Sequence, residues 1–288
     1  MGFFMNRVLT SLAILALSGT WQVAHATVIT IPQSALIPST TYYTDSIGGG
    51  IGSVVVTTGG GNAPNVGDAS GRNDDGFRGP VTLGFTVPFF GNNYSSLFIN
   101  NNGNVTFNAG LAAFTPSGPQ GASQPIISPF FSDVDSRNSA SGVVHVRTDI
   151  PNEIIVTWDK VGYFDSHADK LNSFQLVLRG PGYSIPAGEG AIGFFYRTMQ
   201  WETGDASGGT NGFGGTPGAV GFGDGLSNGE ILQGSIQNGI AAVVNDEHIW
   251  FDPNLEPVSA TPEPATLLLF GTMAAGLGLT GWRRRSQN

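Results

Sequence analysis

The sequence predicts an all-β protein, an antiparallel β-sandwich-like domain, and three observations predict it. Apolar residues recur with period two in short runs. Glycine and proline, 43 and 17 of 288 residues, break the chain at short intervals. No window between the two terminal hydrophobic runs shows a convincing amphipathic helix.

The alternation is readable run by run. Gly142 to Thr148 (GVVHVRT) turns Val144 and Val146 inward, with His145 and Arg147 outward. Glu153 to Trp158 (EIIVTW) sets Ile154, Val156 and Trp158 on one face. Ser173 to Arg179 (SFQLVLR) sets Phe174, Leu176 and Leu178 on one face and Gln175 and Arg179 on the other. Ala191 to Arg197 (AIGFFYR) groups Ile192, Phe194 and Tyr196. Such strands predict sheets with one buried and one wet face.

In chain order, residues 1–26 read as a secretory signal peptide. Arg7 supplies the positive start and Val8 to Ser18 an apolar core too short to span a bilayer. Ala24 and Ala26 place small residues where a signal peptidase accepts them, so cleavage is expected after Ala26. Residues 27–80 read as a strand extension followed by a Gly/Asn-rich loop. Residues 81–252 carry the dense strand series, beginning with Val81 to Val87, Ser96 to Ile99 and Asn104 to Phe107, with Asn100 to Gly103 as a turn. Residues 253–261 read as a linker.

The final segment, 262–288, begins with Pro262-Glu263-Pro264. An uncharged apolar run from Ala265 to Trp282 follows, and then Arg283, Arg284 and Arg285. The run is long enough for a single membrane span, and the arginines hold its end on the cytoplasmic side. The prolines mark the helix start and leave Glu263 extended and accessible. These three parts in order resemble the PEP-CTERM sorting signal. The resemblance implies a Gram-negative-type bacterium and an exosortase-type membrane protease that cuts at the motif. Membrane attachment is then an intermediate, through this span alone, before delivery to the cell surface or extracellular matrix.

Composition excludes several functions. The chain has no cysteine, so disulfides, thiolate metal sites and a cysteine nucleophile are absent. Its formal net charge is −9; Arg7 and the positively charged C-terminal segment lie in the parts expected to be removed, leaving −12 between them. Only Lys160 and Lys170 supply lysine. So acidic a surface disfavours nucleic acid, whose phosphates are bound by Lys and Arg.

The central block resembles the nidogen-like, or NIDO, domain. The resemblance rests on Phe89-Phe90-Gly91-Asn92-Asn93-Tyr94 with Leu97 to Phe107, and on Pro125 to Arg137 (PIISPFFSDVDSR). Val156-Thr157-Trp158 with Val161 to Phe164, Asn172 to Leu178, Met199 to Gly209 and Val220 to Gly225 complete it in the family's order. Coverage is roughly residues 82–252. It implies an extracellular, non-enzymatic module of cell–matrix adhesion and supplies no catalytic set.

Asp133 and Asp135 straddle Val134, and on a strand both carboxylates would project to one face. Two readings follow. Arg137, or Arg147 from the next strand, neutralises them; or they hold a calcium ion, whose hard-oxygen preference they suit. A glycosidase pair is a third, without a partner acid of distinct role. Asn73-Asp74-Asp75-Gly76 lacks the alternating ligands of an EF-hand and reads as a turn. Asp165 to Asp169 (DSHAD) crowds the members of a triad into one loop and reads as plain loop. His145 and His248 have no partner histidine at metal-binding spacing. Gly204 to Gly225 has no phosphate-cradle signature and reads as a wide irregular loop beside Trp201, a residue suited either to sugar stacking or to the core.

The function expected is that of a non-enzymatic surface or matrix protein in adhesion or biofilm exopolysaccharide organisation. Its expected partners are matrix polysaccharide or surface proteins. The alternatives are a lectin-like carbohydrate binder and a secreted hydrolase.

Overall fold

A computed structural model of the protein describes residues 27–58, 69–119 and 122–259. Ala24, Ala26, Pro262, Glu263, Pro264, Arg283, Arg284 and Arg285 lie outside the described residues. Among the described residues no helix is long and apolar enough to cross a membrane.

The strands are β1 (Val28–Ile31), β2 (Ile37–Pro38), β3 (Ser53–Val54), β4 (Phe77–Phe89), β5 (Asn92–Asn100), β6 (Asn104–Thr106) and β7 (Pro125–Phe131). They continue with β8 (Val144–Arg147), β9 (Glu153–Tyr163), β10 (His167–Arg179), β11 (Ile192–Met199), β12 (Ala219–Asp224), β13 (Gly229–Leu232) and β14 (Glu247–Phe251). One seven-stranded sheet runs β1-β13-β12-β7-β6-β5-β4, the other β2-β14-β11-β10-β9-β8-β3. The long hairpins β4–β5 and β9–β10 form because each pair is joined by a short turn between strands of matching alternation.

The sheets pack face to face through aromatic side chains supplied by the inward positions. Phe130 of β7 meets Phe174 of β10 with ring centroids 5.8 Å apart, and Trp158 stacks on Phe174 at 5.1 Å. Phe222 of β12 bridges to Phe194 of β11 and Phe251 of β14 at 5.3 and 4.8 Å. Burying each such ring contributes about 1.5–3 kcal/mol. The sandwich predicted from alternation is therefore present.

One pairing departs from the antiparallel expectation. β1 runs parallel to β13, with Val28 opposite Gly229. No hairpin links these distant strands, so turn geometry does not dictate their direction.

Part of the outer face of the second sheet is dry, where alternation predicts it wet. Gln175 and Arg179, expected outward, are buried. The cause is the stretch around helix α1 (Tyr43–Ile47), which lies over that face. Tyr43 packs with Ile155, Val177, Phe195 and Trp250 in a second apolar cluster. Thr44 N donates to Gln175 Oε1 at 3.3 Å, and Gln175 Nε2 donates to Thr157 Oγ1 at 2.7 Å. Thus residues 27–58 supply edge strands to both sheets and a cover to one. With five residues each, α1 and α2 (Ile240–Val244) are too short to show helical periodicity in the sequence. The stretch after Asp252 folds back likewise, Val258 N donating to Trp250 O at 2.8 Å.

Candidate functional site

Three chain segments meet where the second half of β5 turns into β6. They are residues 73–76 before β4, the Asn100 to Asn104 turn, and residues 132–137 after β7. The turn is wholly buried, and its amides act as polar staples. Asn102 Nδ2 donates to Asp75 Oδ1 at 2.7 Å, while Asn102 Oδ1 accepts from Val134 N at 2.9 Å. Asn101 Nδ2 donates to Val134 O at 2.5 Å, and Asn101 N donates to Gly76 O at 2.8 Å. Gly103 completes the turn with φ +75°, and a Cβ there would lie 1.9 Å from Phe130 O.

Asp74 pairs with Asp135 in an isolated antiparallel bridge. Asn73 N donates to Ser136 Oγ at 2.8 Å, and Ser136 N to Asn73 O at 3.0 Å. Asp74, Asp75, Asp133 and Asp135 are thereby drawn out of solvent together, at 1, 7, 1 and 0% exposure.

Their roles divide. Asp135 accepts from Arg137 Nε at 2.9 Å, from Arg137 Nη2 at 2.5 Å and from Ser166 N at 2.8 Å. Arg137 Nη2 also lies 3.2 Å from Asp74 Oδ2. Asp133 turns elsewhere: its carboxylate, with those of Asp74 and Asp75, places ligand oxygens within 4.8 Å of one another. Burial, and then the charges of Asp74, Asp75, Asp135 and Asp205, push Asp133 up to about 8. Burial also raises Asp75, against the hydrogen bond from Asn102. Asp133 Oδ2 is buried with no hydrogen-bond partner. It faces Gly204, where a Cβ would stand 2.5 Å from it.

The strand on which Asp133 and Asp135 were expected to share a face ends at Phe131. Val134 N then donates to Ser132 O at 2.9 Å, a turn, so the alternation argument no longer applies. Of the two arginines, Arg137 takes the pairing role. Arg147 does not reach the aspartates: it pairs with Asp149 at 2.7 Å and donates to Gly48 O. Asn73 to Gly76 is more than a surface turn, because Asn73, Asp74 and Asp75 are buried in the cluster. Two adjacent acids in a Gly/Asn-rich stretch single out Asp74 and Asp75 in the sequence, but for want of EF-hand spacing they read there as a turn.

The remaining candidates fall apart from this cluster. His167 Nε2 lies 3.2 Å from Asp205 Oδ2, while Ser166 Oγ lies 3.4 Å from Asp135 Oδ2, so the triad members face different partners. His145 on β8 and His248 on β14 are separated by β9, β10 and β11. Gly204 to Gly225 forms a 3-10 turn at Asp205–Ser207 and then β12. Trp201 belongs to the core at 0% exposure, its Nε1 donating to Val161 O at 3.0 Å. That removes it as an exposed sugar platform.

A family model described as NIDO related matches residues 52–248, from the start of β3 into β14. Alpha-tectorin of Mus musculus is 33% identical over 192 residues, covering 56% of this chain and 8% of that protein. Alpha-tectorin of Gallus gallus is 31% identical over 191 residues, covering 56% and 9%. Nidogen of Drosophila melanogaster is 32% identical over 123 residues, covering 32% of this chain and 9% of its own length. The chain thus spans less than a tenth of each of these curated relatives. No solved structure matches.

Proposed function

The chain belongs to the NIDO-related family, and from that premise we propose a non-enzymatic, exported protein of the cell surface or extracellular matrix, acting in adhesion or exopolysaccharide organisation. The observation that carries the reading is the family match, which takes in both sheets of the sandwich rather than a fragment of one. The likeness to nidogen and alpha-tectorin supports it. The terminal segments supply the route: export by residues 1–26, and sorting by an exosortase-type protease at Pro262-Glu263-Pro264 ahead of the Arg283 to Arg285 tail.

The partners proposed are matrix polysaccharide or surface proteins. An acidic surface binds such polymers weakly at each site, and gains strength when many copies share one surface. Nucleic acid and anionic lipid are disfavoured by the same charge. Trp201, being in the core, gives the lectin-like reading no exposed platform.

Incubating the full chain with the host's own exopolysaccharide tests this directly. Co-sedimentation of intact protein with intact polymer is expected. Release of soluble sugars at a rate abolished by one carboxylate or serine substitution would establish a hydrolase instead.

A further inference from the structure

We propose that Asp74, Asp75 and Asp133 hold a calcium ion that clamps the segment before β4 to the segment after β7. Each contributes a carboxylate oxygen, and these atoms lie within 4.8 Å of one another. Oxygens on opposite sides of a calcium ion, each at about 2.4 Å, stand at about that separation.

The cluster alone would not identify a site, but two further features do. Asp133, 1% exposed, aims into the cluster and leaves Oδ2 buried without a hydrogen-bond partner. A carboxylate oxygen stripped of water and given no donor is costly unless a cation meets it. Beside it, Gly204 allows a close approach that no larger residue would: a Cβ would stand 2.5 Å from that oxygen.

Charge accounting points the same way. Arg137 is committed to Asp135 and, at 3.2 Å, to Asp74. Among the described residues no cationic side chain forms an ion pair with Asp75 or Asp133. Asn101 offers a further hard oxygen nearby. It is held between Gly76 and Val134, which follow Asp75 and Asp133, and its Oδ1 is buried without a partner.

All-oxygen donors select calcium over zinc, which prefers nitrogen and sulfur. Calcium also tolerates irregular geometry and backbone or amide carbonyls, whereas magnesium demands a near-octahedral shell and keeps its waters. An extracellular module binding at about 0.1–1 mM would be filled outside the cell. The site is independent of the adhesion reading, and either can fail without the other.

The test uses the full chain, stripped with chelator and titrated with calcium chloride by calorimetry and thermal melting. One calcium per chain is expected, with half-saturation at about 0.1–1 mM and a melting temperature raised by several degrees. Asp133→Asn and Asp75→Asn should each weaken binding by roughly tenfold or more. Should either variant fail to fold, the stoichiometry of the unsubstituted chain still decides. No binding heat and no melting shift at about 10 mM calcium, well above the expected range, would overturn the site. So would unchanged calcium affinity in both variants. Stabilisation by Asp133→Asn in a calcium-indifferent chain would show instead that Asp133 stays a neutral acid.

Discussion

Arg179 Nε donates to Glu153 Oε2 across 2.8 Å, and both side chains are wholly out of solvent. The same guanidinium donates to Gly190 O at 2.9 Å, to Tyr43 Oη at 2.7 Å and to Glu189 Oε2 at 2.5 Å. It lies over the rings of Trp250 and Tyr183, at 4.2 and 4.4 Å from their centroids. One cation thus ties β9, β10 and the α1 cover together.

Removing Arg179 strands the buried Glu153 carboxylate, whereas removing Glu153 leaves the guanidinium its pair with Glu189. Arg179→Ala is predicted to destabilise the protein by about 3–5 kcal/mol in denaturant unfolding. The double variant Glu153→Leu with Arg179→Met should recover much of that loss, since apolar residues of similar volume replace both charges. An Arg179→Ala penalty below about 1 kcal/mol, the range of an exposed pair, would contradict the burial.

Arg137→Ala is predicted to destabilise by about 3 kcal/mol, because Asp135 then keeps a buried charge with only backbone and hydroxyl donors. Adding Asp135→Asn should restore part of the loss, as a double-mutant cycle by urea unfolding would read. Strict additivity of the two single effects would mean that the pair does not couple.

Gly103→Ala should be among the most damaging small substitutions. The residue sits at φ +75°, and its new Cβ would lie 1.9 Å from Phe130 O, a backbone atom that cannot swing away. A loss of about 4 kcal/mol or more is expected, measured as a fall in the denaturation midpoint. A wild-type midpoint would refute the close approach.

Glu230 on β13 gives a pH signature. Burial first, and then Glu256 and Asp252, raise it from 4.5 to about 7. The fold therefore prefers the neutral acid. Its contribution is full below the ordinary value of 4.5 and is lost as pH climbs through about 7. The melting temperature of the wild type relative to Glu230→Gln should fall between about pH 5 and pH 8. A flat difference across that range would reject the shift.

Much of the sandwich was legible because inward positions such as Phe174, Leu176 and Leu178 keep strict period two, which only a sheet satisfies. Gln175 and Arg179 were misjudged for a tertiary reason: alternation says which residues share a face, but not that Tyr43 and Thr44 cover it. The candidate site shows the same limit. Asp133 to Arg137 lies in one short run, so the Asp135–Arg137 pair was readable. Asp74 and Asp75 reach Asp133 through long-range contacts such as the bridge of Asp74 with Asp135 and the Asn102 staple, which no local pattern encodes.

The sorting proposal predicts a processed chain. Intact-mass measurement on the surface fraction of the host should give a species beginning at Thr27 and lacking the apolar run from Ala265 to Trp282. Recovery of a chain ending at Asn288 in that fraction would contradict it.

Adhesion itself is tested most directly by the cohesion of the host's biofilm under shear after deletion of the gene. The account predicts that cohesion falls while the amount and chain length of the polysaccharide stay unchanged. It predicts recovery when the full chain is restored, and none when residues 262–288 are missing. Undiminished cohesion in the deletion strain, or lost cohesion accompanied by altered polymer length, would contradict it.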